Sequence, residues 1–174
     1  MRPLAFFAAL VSSLGTTSLG AGAQSASPVD ALGLYRGTWQ SSATIVDTTF
    51  SKAGTADGTT ACDWSGDRLF MICQQNINYK GTPVHDVTIF TYNPETKAYR
   101  FYSVAPNRVT DADILVDRNS VTFPSTFKDD NGKTVTMRTV NTWTDSDHYA
   151  FRTEYSLDGG AHWTVMLSGS AHHV

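Results

Sequence analysis

Two cysteines, Cys62 and Cys73, are all that a chain of 174 residues carries, no stretch is rich in lysine or arginine, and no apolar run is long enough to cross a bilayer. The first scarcity allows one disulfide and leaves no spare thiol nucleophile. The second argues against nucleic acid or anionic membrane as a partner, because both need a concentrated basic surface. The third argues against a membrane span. The apolar segment at residues 4–14 is interrupted by Ser12 and Ser13 and followed by Thr16, Thr17 and Ser18, well short of the ~20 residues a span requires. Internal repeats and low-complexity tracts are missing, as are the G-x-S-x-G elbow, H-E-x-x-H and a glycine-rich phosphate loop after a strand. The sequence therefore offers no catalytic residues, no metal site and no cofactor site, and an enzyme is the less favoured reading.

What is present begins with an export signal. Arg2 is the only charge before Asp30, an apolar region follows it, and Ala21-Gly22-Ala23 supplies an A-x-A site. This pattern predicts a signal peptide over residues 1–23, cut after Ala23, and a periplasmic or secreted protein. No Cys stands just after the cut, so lipid anchoring there has no thiol to use. The remaining residues 24–174 suit a single domain with a real core. Without Arg2, 12 basic residues stand against 16 acidic ones, a net charge of about −4.

Export makes a Cys62–Cys73 disulfide the expected state of the two thiols. Zinc needs four ligands and CxxC chemistry needs adjacency, and neither fits two cysteines eleven residues apart with no His nearby. The pair flanks Ser65-Gly66-Asp67, a turn signal between strand-like runs at residues 59–64 and 68–79. A tight turn there sets Cys62 against Met71, so that the bridge to Cys73 runs diagonally and needs a small register shift.

Strand patterns fill the rest. Residues 84–92 and 97–104 surround Asn93-Pro94-Glu95-Thr96, and residues 108–117 and 120–127 surround Asp117-Arg118-Asn119. Asn131-Gly132, a strong hairpin signal, precedes residues 134–144; Asp145-Ser146-Asp147 and Asp158-Gly159-Gly160 separate the runs 148–157 and 162–171. With residues 37–47 as the first, about ten strands follow one short helical turn at residues 28–35. Such an antiparallel meander hides its edges most simply by closing into an up-and-down barrel, with a sandwich as the alternative. A four-residue loop at Asn93 pairs Phe90 with Tyr99 and puts Tyr92 and Phe101 on the same face. A three-residue loop at Asp145 sets Trp143 opposite Tyr149, Asn141 opposite Phe151 and Met137 opposite Tyr155. The reverse face then holds Arg138, Arg152 and Glu154 as a solvated surface.

Gly37-Thr38-Trp39, at the start of the first strand after a helical turn, resembles the G-x-W signature of lipocalin-type calycin barrels. The resemblance implies that Trp39 plugs the closed end of the barrel. Lipocalins place an Arg from the last strand over that Trp; here no Arg follows His162. The segment from Phe90 through Asn93-Pro94-Glu95-Thr96 to Tyr99-Arg100 is similar to the "gYDP.t.kYr" segment of the bacterial family DUF1579, of uncharacterised function, and the Ser156 to Trp163 segment is the sort of hairpin those proteins carry. That last segment also fits S-x-D-x-G-x-x-W, the Asp box of sialidase propellers. A propeller repeats its blade, so a lone copy here reads as a structural hairpin, tied by Ser156 and Asp158 with Trp163 packed beneath.

Chemistry outside the barrel interior is thin. His172 and His173 are neighbours and point to opposite faces of a strand, which argues against a shared metal. Asp111 and Asp113 share a face and read as a solvated edge. The interior is the remaining candidate, because a barrel of eight to ten strands is either filled by side chains or holds one small ligand. Eighteen aromatics in the mature chain supply its lining. The expected ligand is a small hydrophobic molecule, with Trp39, Phe90, Tyr99, Phe101, Trp143, Phe151 and Tyr155 at or near it. The alternatives are a structural or protein-interaction module exposing an edge or aromatic patch, and an isomerase or hydrolase at the barrel mouth, which needs an interior polar cluster that spacing does not reveal.

Overall fold

The computed structural model describes residues 27–174; the expected signal segment lies outside the described residues. A 3-10 helix, Pro28–Tyr35, precedes ten strands: β1 Gly37–Ile45, β2 Gly54–Trp64, β3 Phe70–Tyr79, β4 Thr82–Asn93, β5 Ala98–Ala105, β6 Arg108–Asp117, β7 Ser120–Lys128, β8 Thr134–Trp143, β9 His148–Ser156 and β10 Thr164–His173. Each pairs antiparallel with its chain neighbour, and β1 pairs with β10 as well, which closes the barrel. The expected meander is therefore a closed up-and-down barrel and not a sandwich. Closure satisfies the strand edges that a ten-stranded open sheet would expose.

The turns set the registers, and two differ from expectation by two residues. After β2 the loop takes in residues 65–69: Ser65 N donates to Phe70 O at 2.8 Å, and Arg68 sits at φ 58°. The Asp67 carboxylate accepts from Leu69 N at 3.1 Å and holds the longer loop in shape. Cys62 consequently lies directly opposite Cys73 and the disulfide needs no diagonal reach. At the β4–β5 hairpin Asn93 is still paired, with Ala98, and its side chain accepts from Glu95 N and Thr96 N while Lys97 takes φ 55°. Phe90 thus pairs with Phe101, and Tyr92 with Tyr99. A shift of two keeps every side chain on its face, so the inside and outside assignments survive. The β8–β9 register matches expectation, with Trp143 opposite Tyr149, Asn141 opposite Phe151 and Met137 opposite Tyr155.

The helix closes one end of the barrel. Leu32 is wholly buried and Val29 and Tyr35 nearly so, their apolar surface removed from water against Trp39, Phe90, Trp143 and their neighbours. Trp39 donates its indole N–H to Tyr35 O at 2.9 Å, and Tyr99 donates its hydroxyl to Pro28 O at 2.8 Å. These bonds fasten the helix to β1 and β5. Gly37 has φ 112°, and a Cβ there would run into the imidazole of His173. That ring meets the Trp39 indole edge-on at 5.2 Å, so a last-strand His stands over Trp39 here. His172 belongs to the other face of β10.

The seam between β6 and β7 is shorter than the others. Only Leu115, Val116 and Asp117 pair, with Thr122, Val121 and Ser120, whereas β7 and β8 pair along nine positions. Beyond Leu115 the β7-facing edge of β6 is unpaired in the sheet. On the outer face, Arg138 and Arg152 both engage Glu154, at 2.6 and 2.5 Å, and the Arg138 guanidinium stacks 3.8 Å from the Trp163 ring centroid. Glu154 is therefore buried, at 4% exposure, and not solvated as its outward register suggested. The Asp-box hairpin brings Trp163 there. Ser156 Oγ donates to Asp158 and accepts from Gly160 N at 2.8 Å, and Asp158 accepts from His162 N at 3.0 Å. These bonds hold the Asp158 carboxyl well below the usual carboxylate range, the Ser156 hydroxyl contributing most. Asp111 and Asp113 both pair with Arg100 on the outer wall.

Candidate functional site: a cavity inside the barrel

Strand alternation aims Ser41, Thr60, Cys73, Gln75, Ile77, Asp86, Thr88, Phe90, Phe101, Ser103, Phe123, Thr139, Asn141, Tyr149 and Phe151 inward, and with Tyr35 from the helix they line a cavity of about 340 Å³. Ligand pockets span roughly 300–1,000 Å³, so the cavity has the size for a small organic molecule.

Its floor is aromatic. Tyr35 stacks on Phe90 with ring centroids 4.9 Å apart and planes 6° from parallel, and meets Trp143 edge-on at 4.8 Å. Trp39 lies below, edge-on to Tyr149 at 5.0 Å. Phe101 and Phe123 form an edge-to-face pair at 5.3 Å in the wall. Gly169 leaves room for the Phe151 ring, since a Cβ there would lie 2.6 Å from its Cζ. Burial pushes the Tyr149 hydroxyl up to about 12 and the Tyr35 hydroxyl well above its ordinary value. Both are neutral phenols at physiological pH, and Tyr35 Oη accepts from Asn141 Nδ2 at 2.9 Å.

The other side of the cavity is polar. Gln75 donates its amide to Thr88 Oγ1 at 3.2 Å, and Ser103 Oγ donates to Asp86 Oδ2 at a long 3.5 Å. Asp86 Oδ1 is buried and has no hydrogen-bond partner. Desolvation raises the Asp86 carboxyl above the usual carboxylate range, against the pull of Ser103 and of Arg108. Beyond this band the barrel is partly roofed by Phe50, from the β1–β2 loop, which packs edge-on against Tyr155 at 4.8 Å and Phe127 at 5.6 Å.

Of the seven aromatics singled out from sequence, Phe90, Phe101 and Phe151 line the cavity. Trp39 and Trp143 form the buried layer beneath its floor, Tyr99 clamps the helix, and Tyr155 meets Phe50 at the far end. Sequence reasoning missed the polar half. The signal was available: once Phe90 and Phe101 face inward, period two carries Thr88, Asp86 and Ser103 inward with them. Tyr35 had no such signal, because its place depends on how the helix docks. Among the described residues no group of three or more His, Cys, Asp or Glu side chains is placed to hold a metal, and no helix is long and apolar enough to cross a membrane.

No family model matches the chain, and no curated protein matches it. Solved structures do resemble it. Rv2717c from M. tuberculosis is 12% identical, covers 85% of this chain and 98% of its own, and superimposes with a TM-score of 0.56. A redesigned beta barrel is 15% identical over 86% of this chain and 99% of its own, with a TM-score of 0.45. EF1p2_mFAP2b, solved bound to DFHBI, is 15% identical over 85% of this chain and all of its own, with a TM-score of 0.42. At these identities the likeness is one of fold.

Proposed function

We propose that this is an exported binding protein that holds a small, largely apolar molecule inside its barrel. The reading rests on one observation: an interior cavity of about 340 Å³, floored and walled by Phe90, Phe101, Phe123, Phe151 and Tyr149, within a barrel closed at one end by a bonded helix. The cleaved leader over residues 1–23, a single domain over residues 24–174, and a periplasmic or secreted location belong to the same reading, and the Cys62–Cys73 disulfide fits an oxidising compartment. Kinship with DUF1579 is part of it too, supported by the Phe90–Arg100 hairpin signature.

Native mass spectrometry of the mature protein from its own host, beside a denatured sample, tests the binding reading. A stoichiometric small molecule lost on unfolding is the expected result, with a chain that begins at Gln24. An empty chain, in every preparation, would count against it and favour a second reading, a protein-interaction module. The unpaired stretch of the β6 edge supports that alternative, with Val109 within it exposed by 73%.

A further inference from the structure

The interior face of β4 presents Asp86, Thr88 and Phe90 in succession, with Phe90 against the helix and Asp86 toward the other end. Asp86 is an acceptor short of donors. Oδ1 is buried and unpartnered, Oδ2 has only the distant Ser103 hydroxyl, and Gln75, directly opposite in register, gives its amide to Thr88 instead. Leaving a buried acceptor unsatisfied costs about 1–3 kcal/mol, more for a charged one. Arg108 acts on it through its charge alone, and the cavity it faces is shared with the rings of Phe90, Phe101, Phe123 and Phe151.

We propose that the cavity takes an aromatic or alkyl primary amine, its ammonium on Asp86 and its apolar body among the phenylalanine rings. An ammonium carries three donors. Asp86 Oδ1, the Ser103 hydroxyl oxygen and the Thr88 hydroxyl oxygen are three acceptors on two adjacent strands, and all three residues line the cavity. A charge-assisted bond to Oδ1 would satisfy the orphan atom, and the neighbouring ring faces favour a cation. A carboxylic acid of the same shape would meet Asp86 as a like charge and be refused. This inference rests on the binding reading above and specifies which ligands that cavity selects.

Isothermal titration calorimetry with tryptamine, its neutral analogue propylindole and the acid indolepropionate separates the two. The wild-type protein should bind tryptamine at least about tenfold more tightly than propylindole, and indolepropionate most weakly. Asp86→Asn should bring tryptamine down to the propylindole level and leave propylindole unchanged, circular dichroism confirming the fold. Equal binding of tryptamine and propylindole by the wild type, or a preference that survives Asp86→Asn, overturns the amine assignment while the binding cavity stands. Failure of all three probes to bind overturns both. If Asp86→Asn does not fold, the order of the three probes on the wild type decides alone.

Discussion

Removing the disulfide is the perturbation whose size the structure lets one work out. Cys62 and Cys73 are eleven residues apart in sequence and directly opposite in the β2–β3 ladder. In the chain-entropy picture, a cross-link closing a loop of ~12 residues removes about 9–10 cal/mol/K from the unfolded ensemble, or about 3 kcal/mol at 25 °C. Both side chains are buried, Cys62 at 5% and Cys73 at 1% exposure, so truncating them to alanine adds about 1 kcal/mol of lost packing. Cys62→Ala/Cys73→Ala is therefore expected to be about 3–4 kcal/mol less stable in urea denaturation. Reduction of the native protein should reproduce the entropic part. The m-value should rise slightly, because the uncrosslinked chain exposes more surface. A loss below about 1 kcal/mol would refute the reasoning, since it would mean that the β2–β3 hairpin is already held together in the denatured state.

Leu32→Ala should cost about 3 kcal/mol in the same assay, because Leu32 is fully buried where the helix seals the barrel. Ser156→Ala should cost about 1–2 kcal/mol by removing the hydroxyl that bonds Asp158 and Gly160 N. Asp158 has a depressed carboxyl pKa, so its contribution is present above the unfolded value of ~3.9 and is lost as pH falls toward its folded value. Asp158→Asn should accordingly flatten stability against pH on the acid side of about 4, followed by thermal melts. Asp86 carries the opposite sign. Its raised pKa makes folding less favourable as pH climbs from ~3.9 through the folded value, so Asp86→Asn should melt higher than wild type at pH 7 and level with it at pH 3, read by calorimetry.

The fold was legible because period-two patterning and turn chemistry agreed from Gly37 onward. The 3-10 helix at Pro28–Tyr35 and ten strands are present in the expected order, though β2 begins at Gly54 where the sequence pattern began it at residue 59, and β10 runs two residues later than expected. What the sequence left open were loop lengths. Ser65-Gly66-Asp67 reads as a complete turn, yet Arg68 adopts a left-handed conformation and extends it through Leu69. Only three-dimensional closure of the Asp67 side chain onto Leu69 N distinguishes the two. Glu154 failed for a different reason. Alternation gives its direction correctly, but not that Arg138, Arg152 and Trp163 gather over it from β8, β9 and the Asp-box loop. In the cavity, aromatic residues drew the attention that their burial energy justifies, while the small polar side chains between them are weak sequence signals whatever they do.

Those small side chains are the reason a cavity exists at all. The inward positions form layers: Trp39, Trp143, Tyr149 and Tyr35 at the helix end, and Phe50, Phe127 and Tyr155 at the other. Between the layers the chain places Ser41, Thr60, Thr88, Ser103 and Thr139, which line the wall without reaching the axis. A ten-stranded barrel is wide enough that such residues leave a void, whereas Leu or Phe at the same positions would fill it. An unfilled interior forfeits dispersion contacts, and a half-buried carboxylate with one oxygen unpartnered adds to that cost. The two destabilising features, the void and Asp86, occupy the same place. That coincidence is hard to account for by packing, and follows directly if a ligand with an apolar body and a donor at one end completes the core.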